Sequence, residues 1–277
     1  MRIATWNVNS LKARMERVEQ WLAERQPDVL LMQETKFADQ AAPTMAFGMA
    51  GYELAHHGQG RWNGVAIASR VGIEDVVTNF GDGPVRESPV VEPIAEAVEA
   101  EASLATSDEA RMISARCGGV RVVSIYAPNG RALDTPFYRA KLAWFDRLLR
   151  WLRETCDPAE SLLIGGDFNV APEDADVYDM KAFVGSTHVS AEERAALARL
   201  RDWGLVDAYR LHHPEPGKYS WWDYRAGNFH KGLGMRIDHL YVTRSVADRC
   251  TAAEIDRDAR KGNLPSDHAP VYVDLRG

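Results

Sequence analysis

The sequence predicts an α/β protein in which a mixed β-sheet is covered by helices on its outside. Short aliphatic runs that are typical of buried strands recur along the chain. Only a few long segments have the spacing of an amphipathic helix, so helices and strands do not alternate strictly. Polar residues repeatedly follow the strands directly. At residues 162–169, three aliphatic residues precede two glycines, Asp167 and Asn169.

The first elements are a strand, a helix and a second strand. Residues 2–8 form a short apolar run, and Ser10 has the side chain of an N-cap for the helix that follows. Apolar residues at steps of three and four give this helix one buried face, and Pro27 ends it. Residues 28–34 predict the next strand. We expect residues 37–63 to be rich in loops.

An acidic stretch interrupts the pattern of elements. Residues 64–69 predict a strand, and strand signals resume at Met112. Between them, residues 81–107 are rich in Ala, Glu and Pro and lack a sustained core pattern. We therefore expect a surface insertion, and we predict that residues 1–277 form a single domain.

The second half of the chain supplies the remaining elements. Residues 120–126 predict a strand, and Pro136 opens the helix that follows. A second helix is predicted over residues 189–205, where Ser190 and Glu193 have the spacing of a capping box. Further strands are expected at residues 162–164, 235–242 and 271–275.

Composition places the chain among soluble globular proteins, with 45% apolar and 26% charged residues. No apolar run is long enough to span a membrane, and the first residues have no signal-peptide pattern. The three cysteines, Cys117, Cys156 and Cys250, form no CxxC pair. They favour a reducing compartment over a cysteine-built zinc site, so we expect a cytoplasmic protein.

The charge of the chain is distributed unevenly. The net charge of −7 argues at first against a polyanionic partner. However, residues 82–109 contain eight acids and one base, so this segment alone carries that charge. Residues 210–236 contain five bases and two acids, interleaved with aromatic residues at 219–225. A basic, aromatic patch therefore lies inside an acidic chain.

Polar side chains that could bind a metal or catalyse a reaction collect at predicted strand ends and turns. They are Asn7, Glu34, Asp167, Asn169, Asp238, Asp267 and His268. Such oxygen-rich sets suit Mg²⁺ or Mn²⁺. With a metal, one carboxylate could activate water and a second could orient the histidine, which is a workable set for phosphodiester hydrolysis. The turn after residues 120–126 adds Tyr126, Asn129 and Arg131, which could contact a phosphate.

Each of these residues also has an ordinary structural explanation. Asp167 and Asn169 could belong to a tight turn, Asp238 could be a satisfied buried acid, and His268 could be a turn residue. Strand alternation lets only one of Trp221 and Trp222 face a ligand. We interpret four histidines as solvated or structural: His56, His57, His212 and His213. Lys36 and Arg61 are interpreted as surface charges that could touch backbone phosphate.

Six short motifs, in order along the chain, carry a resemblance to a known family. They lie at residues 5–10, 31–36, 126–130, 166–169, 236–238 and 266–268. With them the chain resembles the exonuclease III class of apurinic/apyrimidinic endonucleases. That class belongs to the endonuclease/exonuclease/phosphatase superfamily, which includes DNase I. The resemblance implies a four-layer α/β sandwich of two mixed β-sheets flanked by helices, with the active site at one edge.

The resemblance also implies a role for each candidate residue. The implied metal-site residues are Asn7, Glu34, Asp167, Asn169, Asp267 and His268. The implied catalytic residues are Tyr126, Asp167, Asn169, Asp238 and His268. Asp167 would activate or protonate a reacting group in the displacement at phosphorus, and Asp238 would orient His268. The implied phosphate and DNA contacts are Asn129, Arg131, Trp221, Met235 and Ile237, the last three forming a pocket for an abasic sugar.

The function that follows is Mg²⁺-dependent hydrolysis of the phosphodiester 5′ to an abasic site, with Mn²⁺ as a substitute. We also consider 3′→5′ exonuclease and 3′-phosphatase activity. The expected partner is double-stranded DNA with abasic sites or 3′ ends, bound by a monomer that contacts no membrane. Two alternatives remain: a superfamily enzyme acting on RNA or phosphorylated lipid or inositol, and a non-catalytic DNA-damage-binding protein.

Overall fold

Two mixed sheets packed face to face form the centre of the molecule. The computed structural model describes residues 1–81 and 109–277. Within these residues each sheet has six strands, and helices cover both outer faces. The predicted four-layer sandwich is confirmed. No helix of the described residues combines the length and the apolar character that crossing a bilayer requires.

The first sheet contains the N-terminal strands and the last two strands. Its members are β1 (Arg2–Asn7), β2 (Val29–Gln33), β3 (Glu53–His57), β4 (Val65–Ser69), β11 (Cys250–Ile255) and β12 (Val271–Leu275). Their order is β11-β12-β1-β2-β4-β3. β1 and β2 pair in parallel, whereas the other neighbours pair antiparallel.

The second sheet contains the central strands of the chain. Its members are β5 (Glu74–Thr78), β6 (Met112–Cys117), β7 (Val120–Tyr126), β8 (Leu162–Asp167), β9 (Leu205–Asp207) and β10 (Asp238–Thr243). Their order is β5-β6-β7-β8-β10-β9. β7 and β8 form its parallel pair.

Helices flank the sheets, and the three longest of those described have side-chain N-caps. They are α1 (Leu11–Arg25), α2 (Thr44–Met49), α3 (Pro136–Thr155), α4 (Ala191–Trp203), α5 (Asn228–Lys231) and α6 (Arg244–Ala247). The Ser10 hydroxyl accepts a hydrogen bond from the Ala13 amide, as expected for an N-cap. Ser190 and Glu193 form the reciprocal capping box that their spacing predicts.

Three apolar layers hold the sandwich together. Aliphatic side chains of both sheets fill the space between them. Trp21 and its neighbours on α1 pack on the outer face of the first sheet. Trp144, Leu148 and Leu197, on α3 and α4, cover the second sheet. The central strands of each sheet are thus buried on both faces, which explains why they read as continuous apolar runs.

Some local predictions are wrong. Residues 37–63 are not only loops, because they contain α2 and β3. The strand predicted at 235–242 begins at Asp238, since Met235 pairs instead through isolated bridges to Trp221 and Val177. β5, β9 and β11 lack a strong apolar run and were not predicted. The acidic insertion expected at 81–107 lies, apart from Gly81, outside the described residues.

The two parallel strand pairs end at the same edge of the sandwich. In the first sheet, β1 ends at Asn7, which pairs with the last residue of β2. In the second sheet, Asp167 at the end of β8 pairs with Tyr126 of β7 and with Asp238 of β10. The fold therefore collects candidate site residues from both sheets at one edge.

Gly166 allows the close approach of β7 and β8 just before Asp167. A Cβ atom there would lie 1.9 Å from the backbone oxygen of Ile125. We expect Gly166→Ala to lower the free energy of unfolding by about 1–3 kcal/mol or more, because the backbone must shift. Urea denaturation would measure it. Gly48→Ala in α2, where a Cβ meets no atom within 4 Å, is the matched control. Equal stability of the two variants would contradict the packing account.

Candidate active site

A small cavity lies where the strand ends of the two sheets converge. Its volume is about 170 Å³. The residues that line it are Glu34, Tyr126, Asn129, Asp167, Asn169, His188, Trp221, Met235, Ile237, Asp267 and His268. All but His188 are candidate site residues from the sequence. The structure thus brings together residues that are far apart in the chain.

A pair of carboxylates from different sheets lies at the centre of the cavity. The side-chain amide of Asn7 donates to Glu34 Oε1 and to Asp167 Oδ2, each at 3.0 Å. One ligand atom from each of Glu34, Asp167 and His268 lies within 4.8 Å of the others. The carboxylates of Glu34 and Asp167 face the same space and are bridged by the amide of Asn7. Carboxylate oxygens are hard ligands, so this arrangement fits a divalent cation.

The other predicted metal-site residues are engaged in hydrogen bonds. Asn7 Oδ1 accepts from the Asn9 amide, so Asn7 bridges the carboxylates through its N–H groups. Asp267 accepts from Asn9 Nδ2 and Trp221 Nε1, each at 3.0 Å. Asn169 Nδ2 donates to the carbonyl of Ala127. Glu34 and Asp167 are the residues best placed to hold a cation because their carboxylate oxygens lie close to one another, with His268 beside them.

Asp238, His268 and Asp167 form a chain of charged groups. His268 Nδ1 lies 2.9 Å from Asp238 Oδ2, and its Nε2 lies 3.8 Å from Asp167 Oδ2. Burial alone would lower the pKa of His268, but the surrounding carboxylates, Asp238 first, outweigh it and raise the pKa to about 10. The imidazole is therefore a cation at neutral pH, with Nδ1–H fixed on Asp238 and Nε2–H facing the cavity.

The buried position of Asp167 alters the pKa of its carboxyl group. Asp167 is buried, and burial raises its pKa to about 7 even though the His268 cation acts to lower it. The backbone amide of Asn169 donates to Asp167 Oδ1 at 2.9 Å. A carboxyl with a pKa near neutrality can both accept and donate a proton, and a bound cation would lower that pKa.

Two residues that the sequence predicts as phosphate contacts, Tyr126 and Asn129, line the adjoining wall. Burial, and next the Glu34 carboxylate, hold the pKa of Tyr126 well above its usual value, so the phenol remains a donor. Asn129 Nδ2 donates to Asn169 Oδ1 at 3.3 Å. Arg131 is not among the lining residues, and its guanidinium lies 3.5 Å from the centroid of the Phe137 ring.

An apolar wall faces these polar groups. Met235 and Ile237 are buried, and Trp221 is half-buried beside them. Trp222 points to the other side, where it packs against Phe229 in a separate cluster. As strand alternation predicts, only one of the two tryptophans faces the cavity.

Comparisons with known proteins place this geometry in a family. Residues 4–268 match the model described as the Endonuclease/Exonuclease/phosphatase family. The chain belongs to the endonuclease/exonuclease/phosphatase family. Its resemblance to the exonuclease III class is confirmed by exodeoxyribonuclease III of Haemophilus influenzae, which is 34% identical over 100% of both chains.

Solved structures of this family resemble the chain over nearly its whole length. The 3′–5′ exonuclease NExo from Neisseria meningitidis is 37% identical with a TM-score of 0.88, over 99% of both chains. An AP endonuclease from Archaeoglobus fulgidus is 34% identical with a TM-score of 0.87, also over 99% of both chains. The family is one of metal-dependent nucleases, which agrees with the carboxylate pair.

Two polar residues that adjoin the site, His188 and Lys36, could not be recognised from the sequence. His188 lines the cavity, with Nδ1 2.5 Å from the Asn169 carbonyl, and burial lowers its pKa to about 4. It lies in none of the recognised motifs. Lys36, predicted to be a surface charge, lies 2.9 Å from Glu34 and donates to Asn9 at 2.7 Å. That prediction is wrong, because a fold-specific turn directs the lysine inward.

A buried ion pair supports the polar wall from behind. Lys141 Nζ donates to the carbonyls of Asn129 at 3.2 Å and Asn169 at 2.7 Å. It also bonds Glu193, and both side chains of this pair are 0% exposed. The Glu193 carboxylate accepts from Thr187 and from the His188 amide. One ion pair thus fixes the backbone of three cavity-lining residues.

Removing the lysine should leave a buried charge unpaired. We expect Lys141→Met to lower the free energy of unfolding by about 3–5 kcal/mol, because Glu193 would lose its counter-charge. Adding Glu193→Gln should restore part of the loss. Lys12→Met, on the exposed face of α1, is the control and should change stability by less than about 0.5 kcal/mol. If urea denaturation gave Lys141→Met and Lys12→Met the same free energy of unfolding, this role would be contradicted.

Proposed function

We propose that this chain is a metal-dependent DNA repair nuclease that hydrolyses the phosphodiester 5′ to an abasic site. The observation that carries the proposal is the single cavity that joins the Glu34–Asp167 carboxylate pair, the Asp238–His268 pair and an apolar wall. The first two supply hydrolytic chemistry. The third offers a surface for a sugar that has lost its base.

The reaction assigns a task to each polar side chain. The His268 cation, fixed by Asp238, donates Nε2–H to a non-bridging oxygen of the scissile phosphate and stabilises its developing charge. Tyr126 and Asn129 donate to the same phosphate and hold it in place. Asp167 orients the attacking water and accepts its proton. The water oxygen bonds to phosphorus as the P–O3′ bond breaks, and the leaving 3′ oxygen takes up a proton from solvent. Asn169 fixes Asp167 through its backbone amide.

The proposed cation is Mg²⁺, with Mn²⁺ as a substitute. Glu34 and Asp167 would hold it, because they present hard carboxylate oxygens from opposite sheets to one space. When bound, such a cation polarises the phosphoryl group and neutralises its negative charge. Lys36 partly balances Glu34 on its outer side, which leaves the inner oxygen facing the cavity.

The substrate preference follows from the apolar wall. Trp221, Met235 and Ile237 offer packing surface and no hydrogen-bond partners for a base edge, which suits an extruded abasic deoxyribose. Double-stranded DNA is the proposed partner, bound by a monomer. Since backbone phosphates supply much of such binding, affinity should fall as salt rises.

A second activity is supported by one relative in particular. A Neisseria protein described as the 3′ phosphatase NExo was solved bound to a product DNA hairpin, and it is 36% identical to this chain over 100% of both. The cavity is small, and His188 forms part of its wall. We therefore propose processing of 3′ ends, both 3′→5′ exonuclease and 3′-phosphatase activity, as a further reaction of the same site.

Cleavage of defined duplexes would test both activities. One duplex carries a single abasic-site analogue, one an intact recessed 3′ end and one a 3′-phosphate, each with Mg²⁺ or with EDTA. We expect Mg²⁺-dependent incision 5′ to the lesion. Asp167→Asn and His268→Ala should fold normally by circular dichroism, yet lower the rate by about 10²–10⁴-fold, because each removes a proton-transfer or charge-stabilising group.

The outcomes separate the hypotheses. Processing of 3′ ends without incision at the lesion would support the hydrolytic mechanism but contradict the assignment of the apolar wall as a pocket for an abasic sugar. Undiminished cleavage by Asp167→Asn or His268→Ala would reject the mechanism. Cleavage of RNA or a phosphorylated lipid or inositol, with DNA left intact, would favour the first alternative. Tight binding to abasic DNA without turnover in any metal would favour the non-catalytic one.

A further inference from the structure

The turn that carries Glu34 has an unfavourable backbone conformation. Glu34 has φ of 51° and Lys36 has φ of 55°, so two residues with side chains lie in the left-handed region on either side of Thr35. Such residues cost free energy and persist only where surrounding contacts fix them. Backbone amides of Ser10 and Leu11 donate to the carbonyls of Glu34 and Thr35. These bonds hold one side of the turn.

A buried chain of side-chain hydrogen bonds holds the other side. Thr35 is 0% exposed, and its Oγ1 lies 2.8 Å from His56 Nε2. His56 Nδ1 lies 2.8 Å from Asp39 Oδ1, which also accepts from the Gly58 amide at 2.7 Å. Because the Asp39 carboxylate requires a donor, Nδ1 carries the proton and Nε2 accepts from the Thr35 hydroxyl.

Two glycines leave room for this chain of hydrogen bonds. A Cβ atom on Gly58 would lie 2.4 Å from Cε1 of His56, and one on Gly64 would lie 2.2 Å from Oγ1 of Thr35. The carbonyl of Gly64 also accepts a hydrogen bond from the backbone amide of Thr35. The local sequence therefore leaves room for the ring of His56 and the hydroxyl of Thr35. Of the two interpretations of His56, solvated or structural, these contacts support the structural one.

The order acid, imidazole, hydroxyl resembles that of a nucleophilic triad, but Thr35 cannot act as a nucleophile here. Its hydroxyl is buried against His56 and does not line the cavity. What Thr35 can do is fix the turn. Its neighbour Glu34 is the residue that faces the cavity and Asn7.

We propose that Asp39, His56 and Thr35 are positioning residues that fix the Glu34 carboxylate for the divalent cation. The inference rests on the proposed function, in which Glu34 holds that cation. Groups behind a metal ligand fix its orientation, and their removal typically weakens metal binding by about 10–100-fold. Without the Thr35 hydrogen bond, the strained turn would sample other conformations and Glu34 would meet the cation less often.

Binding of Mn²⁺ to the full chain without DNA tests this inference. Free Mn²⁺ can be titrated by electron paramagnetic resonance, which gives a dissociation constant independent of turnover. Thr35→Val keeps the shape but loses the hydroxyl, and we expect it to raise the dissociation constant about tenfold or more. Thr35→Ser keeps the hydroxyl and should stay within about threefold of the parent protein.

A matched control separates positioning from general destabilisation. Thr243 is also 0% exposed, and its hydroxyl bonds the carbonyl of Glu160 at 2.7 Å, at the end of β10 away from Asp238. Thr243→Val should lower the thermal midpoint in EDTA about as much as Thr35→Val does, yet leave Mn²⁺ affinity unchanged. Asp39→Ala changes a half-exposed side chain outside the core and should also weaken Mn²⁺ binding.

The results distinguish this inference from the proposed function beneath it. If the parent protein binds Mn²⁺ and Glu34→Gln abolishes binding, the assignment of Glu34 as a metal ligand is supported. Unchanged affinity in both Thr35→Val and Asp39→Ala would then overturn the positioning role alone. If Glu34→Gln binds Mn²⁺ as the parent protein does, the metal assignment to Glu34 fails and the positioning role fails with it.

Discussion

The amide bridge from Asn7 to the carboxylates of Glu34 and Asp167 is the interaction on which the site depends. These two acids belong to different sheets, so the distance between them is set by how the sheets pack. Both parallel strand pairs end at this edge, and the glycines before Asp167 permit the close packing that the edge requires. The chemistry of the cavity is therefore a property of the whole sandwich.

Buried charges in this protein occur in compensated groups. His268 lies against Asp238, Lys141 pairs with Glu193, and Arg236 bridges two buried acids beneath the apolar wall. A buried charge without a partner is costly, and in each of these groups an opposite charge is in direct contact. The Glu34–Asp167 pair differs. Its two carboxylates face one space, where a divalent cation would interact with both.

The sequence predicted the catalytic edge because strand ends are visible in it. Asn7, Glu34 and Asp167 each follow an aliphatic run, and their order matched a family whose fold is two mixed sheets. What the sequence could not show is side-chain contact across the chain. His188 and Lys36 reach the site only through turns with left-handed backbone, and no periodic pattern marks such turns.

The same limit explains the errors in secondary structure. β3 is mostly half-buried at the sheet edge and contains two histidines, and β9 is only three residues long, so neither produces a strong apolar run. The sequence could not decide between a solvated and a structural His56, because its partners, Thr35 and Asp39, are separated from it by a loop and a short helix. Tertiary contacts, rather than local propensity, give these residues their roles.

Anomalous diffraction from a crystal soaked in Mn²⁺ would test the central claim most directly. The account predicts one strong anomalous peak within coordination distance of both Glu34 and Asp167, and its loss in Glu34→Gln. A peak that contacts only Asp267, or one that is unchanged in Glu34→Gln, would contradict the account. In either case the convergence of the two sheets would not be what creates the metal site.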